Sequence, residues 1–195
     1  MNAPEVSLRE RTRRAVRAEI VDAAMNLFLS QGFEATTVED IAHAAGISRR
    51  SYFRYFGSKD DAFAEALASF GATIAETLSH RPEEESPWLA LRRSFDPLAE
   101  QADSDPNAER LGLLMLERPT LQQGKDAVWQ SRIASALLPR LPPDGADDES
   151  LRAEALAAAA ITCLHVAQAQ WLTPGEHRSL SALLDATMAT VRPLS

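Results

Sequence analysis

Residues 36–61, TTVEDIAHAAGISRRSYFRYFGSKDD, decide the fold of the N-terminal part of this chain. The stretch holds two short segments whose apolar residues have helical spacing, separated by Ala45-Gly46-Ile47. A glycine in so short a break supplies the positive φ that a tight turn between two helices requires. The stretch therefore predicts a helix-turn-helix.

Start signals and a shared apolar core accompany both helices of this motif. Thr36 or Thr37 is placed to cap the second helix of the chain, and an acidic residue three positions later completes a capping box. Ser48 is placed to cap the third helix, which we expect to run to about Phe56. The residues with the spacing to pack these helices together are Ile41, Ala45, Ile47, Tyr52 and Phe56.

The third helix presents a ridge of four side chains on the side opposite that core. Arg49 and Phe53 are one helical turn apart and so lie side by side, and the same holds for Arg50 and Arg54. Arginine recognises guanine through two hydrogen bonds, and residues near the start of the second helix of this motif reach base edges. The ridge predicts binding of double-stranded DNA through the major groove.

The net charge of −8 is unevenly distributed along the chain. Residues 1–60 hold nine basic and eight acidic side chains, whereas residues 61–195 hold eleven basic and twenty acidic ones. The N-terminal cations cluster in Arg9–Arg17 and Arg49–Lys59, and phosphate binding depends on such local patches. The arginines of Arg9–Arg17 form either a disordered basic tail or an arm that contacts DNA outside the major groove.

Helical spacing recurs along the rest of the chain, and no strand pattern is present, so the fold class is all-α. We predict a DNA-binding domain over residues 1–60 and a helical effector-binding and dimerisation domain over residues 61–195. An acidic, proline-flanked break at residues 82–87 and a solvated loop at residues 141–148 interrupt the second domain. The predicted helices are Arg13–Gln31, the two of the motif, Lys59–Ser79, Trp88–Ala102, Asn107–Glu117, Leu121–Leu138, Glu149–Leu172 and Gly175–Val191.

Several classes of function are disfavoured by the sequence. We see no apolar run of the roughly 18 residues that a membrane span needs, and no secretory signal, so we expect a cytoplasmic protein without a membrane partner. The single cysteine, Cys163, is expected to be a buried structural thiol. No metal-ligand spacing and no catalytic constellation is legible, so an all-helical enzyme is a remote alternative.

Residues 17–61 resemble the DNA-binding domain of the tetracycline-repressor (TetR) family of bacterial regulators. The matching features are Thr36-Thr37, Glu39-Asp40-Ile41-Ala42, Ala45-Gly46-Ile47-Ser48, Tyr52-Phe53, Tyr55-Phe56 and Ser58-Lys59. The resemblance implies a dimeric, ligand-responsive repressor that binds a pseudo-palindromic operator. A DNA-binding activator and a ligand-independent regulator are the alternatives.

The resemblance also assigns roles to individual residues. Those at positions that face bases or the adjacent backbone are Arg49, Arg50, Ser51 and Phe53, with Arg54 beside them on the ridge. Those at positions that usually contact phosphates are Thr37, Tyr55 and Lys59. Phe53 departs from the family pattern, in which tyrosine is more usual, and a phenylalanine can pack only against sugar or a thymine methyl group.

The last two predicted helices bear on assembly. Residues 149–172 are rich in alanine and apolar nearly all round, so this helix must be buried on several sides. In the resembled family, the last two helices of each subunit form a four-helix bundle with those of the partner. We therefore expect a homodimer through these helices, with packing wholly inside one chain as the alternative.

The segment Ser48–Phe56 is also similar to an actinobacterial subgroup of the family whose C-terminal domain is acyl-CoA-binding-like. We expect no cofactor and no metal. This resemblance implies a large, mostly apolar effector, with a long-chain acyl-CoA as the best single guess. Arg92 is a candidate to meet its phosphates. The candidate residues for an apolar lining are Phe63, Leu67, Phe70, Trp88, Phe95 and Trp129. Such a pattern more often forms plain core than a pocket.

Overall fold

The computed structural model describes residues 7–141 and 148–192, and within these ranges all regular structure is helical. The predicted all-α fold class is confirmed. A short 3₁₀ turn, Leu138–Arg140, follows the eighth helix. The helices are α1 Leu8–Gln31, α2 Val38–Ala44, α3 Arg49–Tyr52, α4 Lys59–Ser79, α5 Pro87–Ser94, α6 Asp96–Ser104, α7 Ala108–Leu116, α8 Pro119–Leu137, α9 Glu149–Trp171 and α10 Leu180–Val191.

The chain divides into two compact units, and the division falls inside α4, between Leu67 and Ala68. We expected the boundary after residue 60, at the start of this helix. The later position has a simple cause: the first turns of α4 supply Ala62, Phe63 and Ala66, all buried, to the first unit.

Aromatic side chains fill the centre of the first unit. The ring centroids of Phe28 and Phe33 are 4.5 Å apart, and the ring of Phe63 lies 5.6 Å and 5.7 Å from them. Phe63 is fully buried in this cluster. The N-terminal core surrounds its ring and accounts for this position, and a place in the lining of an effector cavity stays a prediction.

The second unit is organised around α9, against which both α8 and α10 pack. Alanines at the buried positions of α9, among them Ala153, Ala157 and Ala160, allow the neighbouring helices to approach closely. Gly71 of α4 serves the same purpose, since a Cβ atom there would lie 2.4 Å from the Trp129 ring. The core of this unit is thus built on close backbone contact.

Two predicted helix starts were wrong. α1 begins at Leu8 rather than near Arg13, because the Ser7 side chain accepts a hydrogen bond from the backbone N–H of Glu10 and caps a helix that starts earlier. α10 begins at Leu180 rather than at Gly175, which has a φ of +87°. The Glu176 carboxylate accepts the N–H groups that follow, so this segment is a turn.

Two further segments differ from the predicted helices. The predicted helix Trp88–Ala102 is two helices, because Pro97 has no N–H to continue the hydrogen bonding of α5 into α6. α3 ends at Tyr52, and the residues that follow form a turn instead of a further helical segment to Phe56. The predicted loop at residues 141–148 lies largely outside the described residues.

By length and composition alone, α9 would be able to cross a membrane. Its most apolar 18 residues have a mean hydropathy of 1.2, and 39% of them are buried. We had expected no segment of this kind. Its buried residues, such as Ile161 and Leu164, belong to the core of the second unit, as in any core helix.

Candidate nucleic-acid interface

The turn between α2 and α3 has the hydrogen bonds of a Schellman motif around Gly46. The Gly46 N–H donates to the carbonyl of His43 at 3.1 Å, and the Ile47 N–H donates to that of Ala42 at 2.9 Å. Gly46 has a φ of +66°, the left-handed conformation that glycine adopts without steric cost. The predicted strained position is confirmed, and it fixes the angle between the two helices.

A capping box begins α2. Thr37 Oγ1 accepts from the Asp40 N–H at 3.1 Å, and the Asp40 carboxylate accepts from the Thr37 N–H and hydroxyl at 2.9 Å and 2.7 Å. These hydrogen bonds from Thr37 hold the pKa of the Asp40 carboxyl below its ordinary value. Thr37 is therefore the cap. Its hydroxyl proton is already donated, so any phosphate contact at this position needs another donor.

Tyr52 anchors α3 to the rest of the first unit. Its side chain is fully buried, and its hydroxyl donates to the carbonyl of Ser58 at 2.9 Å. Burial, with the nearby charges of Asp61 and Asp60, raises the pKa of Tyr52 to about 12. A neutral, hydrogen-bonded phenol thus ties the short α3 to the start of α4. Ile41 and Phe56 are buried with it, whereas Ala45 and Ile47 are only partly buried.

The predicted ridge lies on the surface of the first unit. Arg49, Arg50, Phe53 and Arg54 are all exposed. The guanidinium of Arg49 is 5.5 Å from the Phe53 ring centroid and 3.0 Å from Glu39, so it rests in an exposed ion pair with α2. Arg50 has no ion-pair partner among the described residues. Of the two arginines at the start of α3, Arg50 is the more available to a base edge.

The remaining predicted contacts differ in accessibility. Ser51 is partly buried, and its hydroxyl oxygen accepts from Ser48 at 3.0 Å. Tyr55 is also partly buried, and its backbone carbonyl accepts from Arg17 at 2.8 Å. The Arg17 guanidinium also forms an ion pair with the Glu65 carboxylate at 2.9 Å. We had counted Arg17 with the N-terminal basic cluster, but it braces the turn after α3 against α4.

Lys59 has a structural role that the sequence did not reveal. Its ammonium donates to the carbonyls of Phe33 at 2.6 Å and Thr36 at 3.0 Å, and it lies 4.4 Å from the centroid of the Phe33 ring. The expectation that this lysine acts mainly on a phosphate is corrected, because two of its three N–H donors hold the loop between α1 and α2. One donor is left for DNA.

Replacing Lys59 by methionine is expected to destabilise the first unit. The substitution keeps the length of the side chain but removes two charge-assisted hydrogen bonds, and it lowers the free energy of unfolding by about 1–3 kcal/mol. Urea denaturation followed by circular dichroism measures this effect. Asp60→Asn, one residue further along α4, is the control. Unchanged stability for Lys59→Met would contradict this structural role and leave phosphate contact as the function of the lysine.

Among the candidate effector residues, Arg92 also has structural partners. Its guanidinium is almost completely buried, lies 2.5 Å from both Asp96 and Asp185, and donates to the Ser181 hydroxyl at 2.6 Å. These contacts join α5 to α6 and α10. These partners give Arg92 a structural role inside the domain, and its contact with effector phosphates stays a prediction.

The apolar candidates of the second unit lie in its core. Trp88 donates from Nε1 to the carbonyls of Met188 and Arg192 at 3.2 Å and 3.1 Å. Phe95 and Trp129 are buried, and Phe70 packs against the same core while partly exposed. Leu67 is buried at the end of the first unit. Packing alone accounts for these positions.

A polar cluster inside the second unit escaped the sequence analysis. Lys125 Nζ lies 3.0 Å from the Asp126 carboxylate, 3.4 Å from His165 Nε2 and 4.1 Å from the Trp129 ring. Burial lowers the pKa of Lys125. Although burial alone raises the pKa of Asp126, the hydrogen bond from His165 and the charge of Lys125 lower it overall. The sequence did contain a signal for the burial of Lys125, because it lies four residues before Trp129 and eight before Ile133, on the same helical face.

Within residues 7–141 and 148–192, no group of three or more His, Cys, Asp or Glu side chains is arranged to hold a metal ion. The described geometry is instead that of a rigid helix-turn-helix with an exposed cationic ridge. Its helix ends are capped, its third helix is anchored by a buried phenol, and its turn is fixed by Gly46. These features define the class of DNA-binding domains.

The model for bacterial regulatory proteins of the tetR family matches residues 20–66. This match confirms the resemblance of the N-terminal domain to the family. It is 36% identical over 88 residues to the transcriptional regulator TcmR of Streptomyces glaucescens, covering 45% of this chain and 39% of TcmR. It is 46% identical over 54 residues to the transcriptional repressor KstR2 of Rhodococcus jostii, covering 28% of this chain and 26% of KstR2. The chain thus spans less than half the length of either relative.

Solved structures share the fold over nearly the whole chain. FadR of Thermus thermophilus, a TetR family repressor in complex with lauroyl-CoA, has a TM-score of 0.62 at 23% identity, covering 92% of this chain and 95% of that one. SmeT, the repressor of the Stenotrophomonas maltophilia efflux pump SmeDEF, has a TM-score of 0.63 at 21% identity, covering 91% of each chain. At these identities the likeness establishes the fold of both units.

Proposed function

We propose that this protein is a transcriptional repressor that binds a double-stranded DNA operator as a homodimer and releases it when a small molecule binds the second unit. The exposed ridge of Arg49, Arg50, Phe53 and Arg54 on a rigid helix-turn-helix is the observation that carries this proposal. Its guanidinium groups are placed to read guanine in the major groove. A role as activator, or as a regulator without a ligand, uses the same surface.

The outward face of α9 supports the homodimer. Leu151 and Val166 are 58% and 55% exposed, and Ala155, Thr162 and Ala169 are exposed between and beyond them. This spacing gives one side of α9 a stripe of small and apolar side chains, which is the surface that close helix packing uses. A two-fold pairing through α9 and α10 presents two recognition helices to one operator.

The structure changes where this interface should be tested. Ala159 and Leu184 are unsuitable positions for a new charge, because Leu184 is fully buried within its own chain and Ala159 packs against the same core. A charge at either position would destabilise the fold of the single chain as well as any dimer, so it would not report on assembly alone. Val166 is the appropriate position, since its side chain is exposed in the single chain.

Retention of genomic DNA tests the proposed function directly. Incubating the protein with fragmented DNA from its own organism and sequencing the retained fragments should yield a few enriched sites that share a pseudo-palindrome. An enzyme of the same fold would retain none. A retained pool with the composition of the input would contradict a specific operator.

The effector in this proposal is a large, mostly apolar molecule, with a long-chain acyl-CoA as the specific candidate. The lauroyl-CoA complex of the similar FadR supports it. The helix α7 offers a second support, because it is rich in leucine yet contains no fully buried residue. An apolar helix that its own domain leaves partly uncovered is suited to contact an acyl chain.

We expect oleoyl-CoA to dissociate the protein from its operator at micromolar concentrations, while CoA alone has no effect. A ligand releases DNA only if it binds the conformation without DNA more tightly, so operator DNA must in turn weaken oleoyl-CoA binding by the same factor. Fluorescence anisotropy of a labelled operator, titrated at several oleoyl-CoA concentrations, measures the dissociation and gives the coupling factor. Free oleate is the third titration. If none of the three shifts the curve, the acyl-CoA proposal fails while DNA binding stands.

A further inference from the structure

The N-terminal end of α1 has two faces with different surroundings. Because the helix begins at Leu8, the arginines that follow have fixed directions rather than those of a flexible tail. Arg9 and Arg13 are one turn apart and share a face with Thr12. Arg11 is two residues from each, which places it about 200° away around the helix, on the other face.

The face of Arg9 and Arg13 opens onto the turn that follows the recognition helix. An open groove of about 630 Å³ is lined by Leu8, Arg9, Thr12, Arg13, Arg54 and Tyr55. Among the residues that the structure describes, three arginines and no carboxylate line it. The groove therefore joins the start of α1 to Arg54, the last member of the ridge.

The charge in this groove is not neutralised within the protein. Arg14 lies 3.5 Å from Glu10, and Arg17 lies 2.9 Å from Glu65, so two arginines of the cluster have carboxylate partners. Arg9 and Arg13 have none among residues 7–141 and 148–192. Positive charges that line a concave surface attract an anion. The low dielectric of the protein walls strengthens the electrostatic potential inside the groove.

We propose that this groove binds the phosphate backbone of the DNA next to the bases that α3 reads. The proposal rests on the proposed function, because Arg54 ties the groove to the DNA-facing ridge. Arg9 and Arg13 each neutralise a phosphate, add affinity without sequence preference and lengthen the contacted duplex. Each phosphate neutralised adds about 0.9 to the slope of log K against log salt concentration.

The test compares two arginines that lie on opposite faces of α1. Arg13→Gln and Arg11→Gln remove the same charge from exposed positions, and glutamine keeps the helix propensity. Binding to a duplex retained from genomic DNA, and to a random duplex of equal length, is measured by fluorescence anisotropy between about 50 and 200 mM salt, the range over which phosphate contacts dominate.

We expect Arg13→Gln to reduce the salt slope by about 0.9 per protomer, to weaken both duplexes by the same factor and to leave their affinity ratio unchanged. Arg9→Gln in the same chain reduces the slope by a similar further amount. Arg11→Gln stays close to the unsubstituted protein. Equal slopes for Arg13→Gln and Arg11→Gln would overturn the groove while leaving the operator proposal intact. Failure of the unsubstituted protein to bind any duplex would overturn both.

Discussion

Alanine at Arg50 should remove most of the operator affinity of this protein. A bidentate contact from arginine to guanine contributes about 1–3 kcal/mol of discrimination. In a symmetric dimer the loss occurs at both half-sites, so the combined cost is about 2–6 kcal/mol, or on the order of 30-fold to 10⁴-fold in affinity. Arg50 is exposed and has no ion-pair partner among the described residues, so a contact between its guanidinium and DNA would break no ion pair described within the protein.

Anisotropy titrations with operator and random duplexes measure this effect. The loss should be confined to the operator, and discrimination at the contacted base pair should relax. Arg132→Ala, which removes an exposed arginine from α8, is the matched control and should leave both affinities unchanged. An equal loss on both duplexes for Arg50→Ala would show that this arginine contacts phosphate rather than a base.

Aspartate at Val166 should produce monomers that no longer hold the operator. The side chain is 55% exposed in the single chain, so the variant folds, but pairing would bury the new carboxylate against an apolar surface at a cost of several kcal/mol. A monomer keeps one recognition helix and loses the second half-site. Its affinity for the operator should approach that for random DNA.

Light scattering gives the mass of the variant, and circular dichroism shows that it is folded. Val128→Asp is the matched control, since it makes the same change at an exposed valine of α8 and should remain dimeric. If Val166→Asp and Val128→Asp have the same mass as the unsubstituted protein, the two-fold contact lies on another face.

Local signals in the sequence were sufficient for the helix-turn-helix. Gly46, Thr37 and Ser48 act through backbone geometry and caps a few residues away, and such effects are legible without a structure. The apolar spacing that predicted Ile41, Tyr52 and Phe56 as core was likewise local. For this reason the starts of α2, α3 and α4 were predicted closely, although α3 ends at Tyr52 and not at Phe56.

Roles that depend on distant partners were not predictable. Lys59 was read as a phosphate contact because it is a cation at the start of a helix, yet its partners are the carbonyls of Phe33 and Thr36. Arg92 was read as facing a ligand, yet Asp185 lies about ninety positions along the chain. A charge pattern does not reveal which cations are already neutralised within the fold.

Chemical protection of guanine N7 on the retained operator tests the central claim most directly, because N7 lies in the major groove where the ridge at α3 is proposed to bind. The account predicts two clusters of protected guanines, related by two-fold symmetry, with centres about 10 base pairs or a multiple of that apart. In Arg50→Ala, protection should disappear at both clusters. Retained DNA whose guanine N7 atoms react as in free duplex would contradict the account.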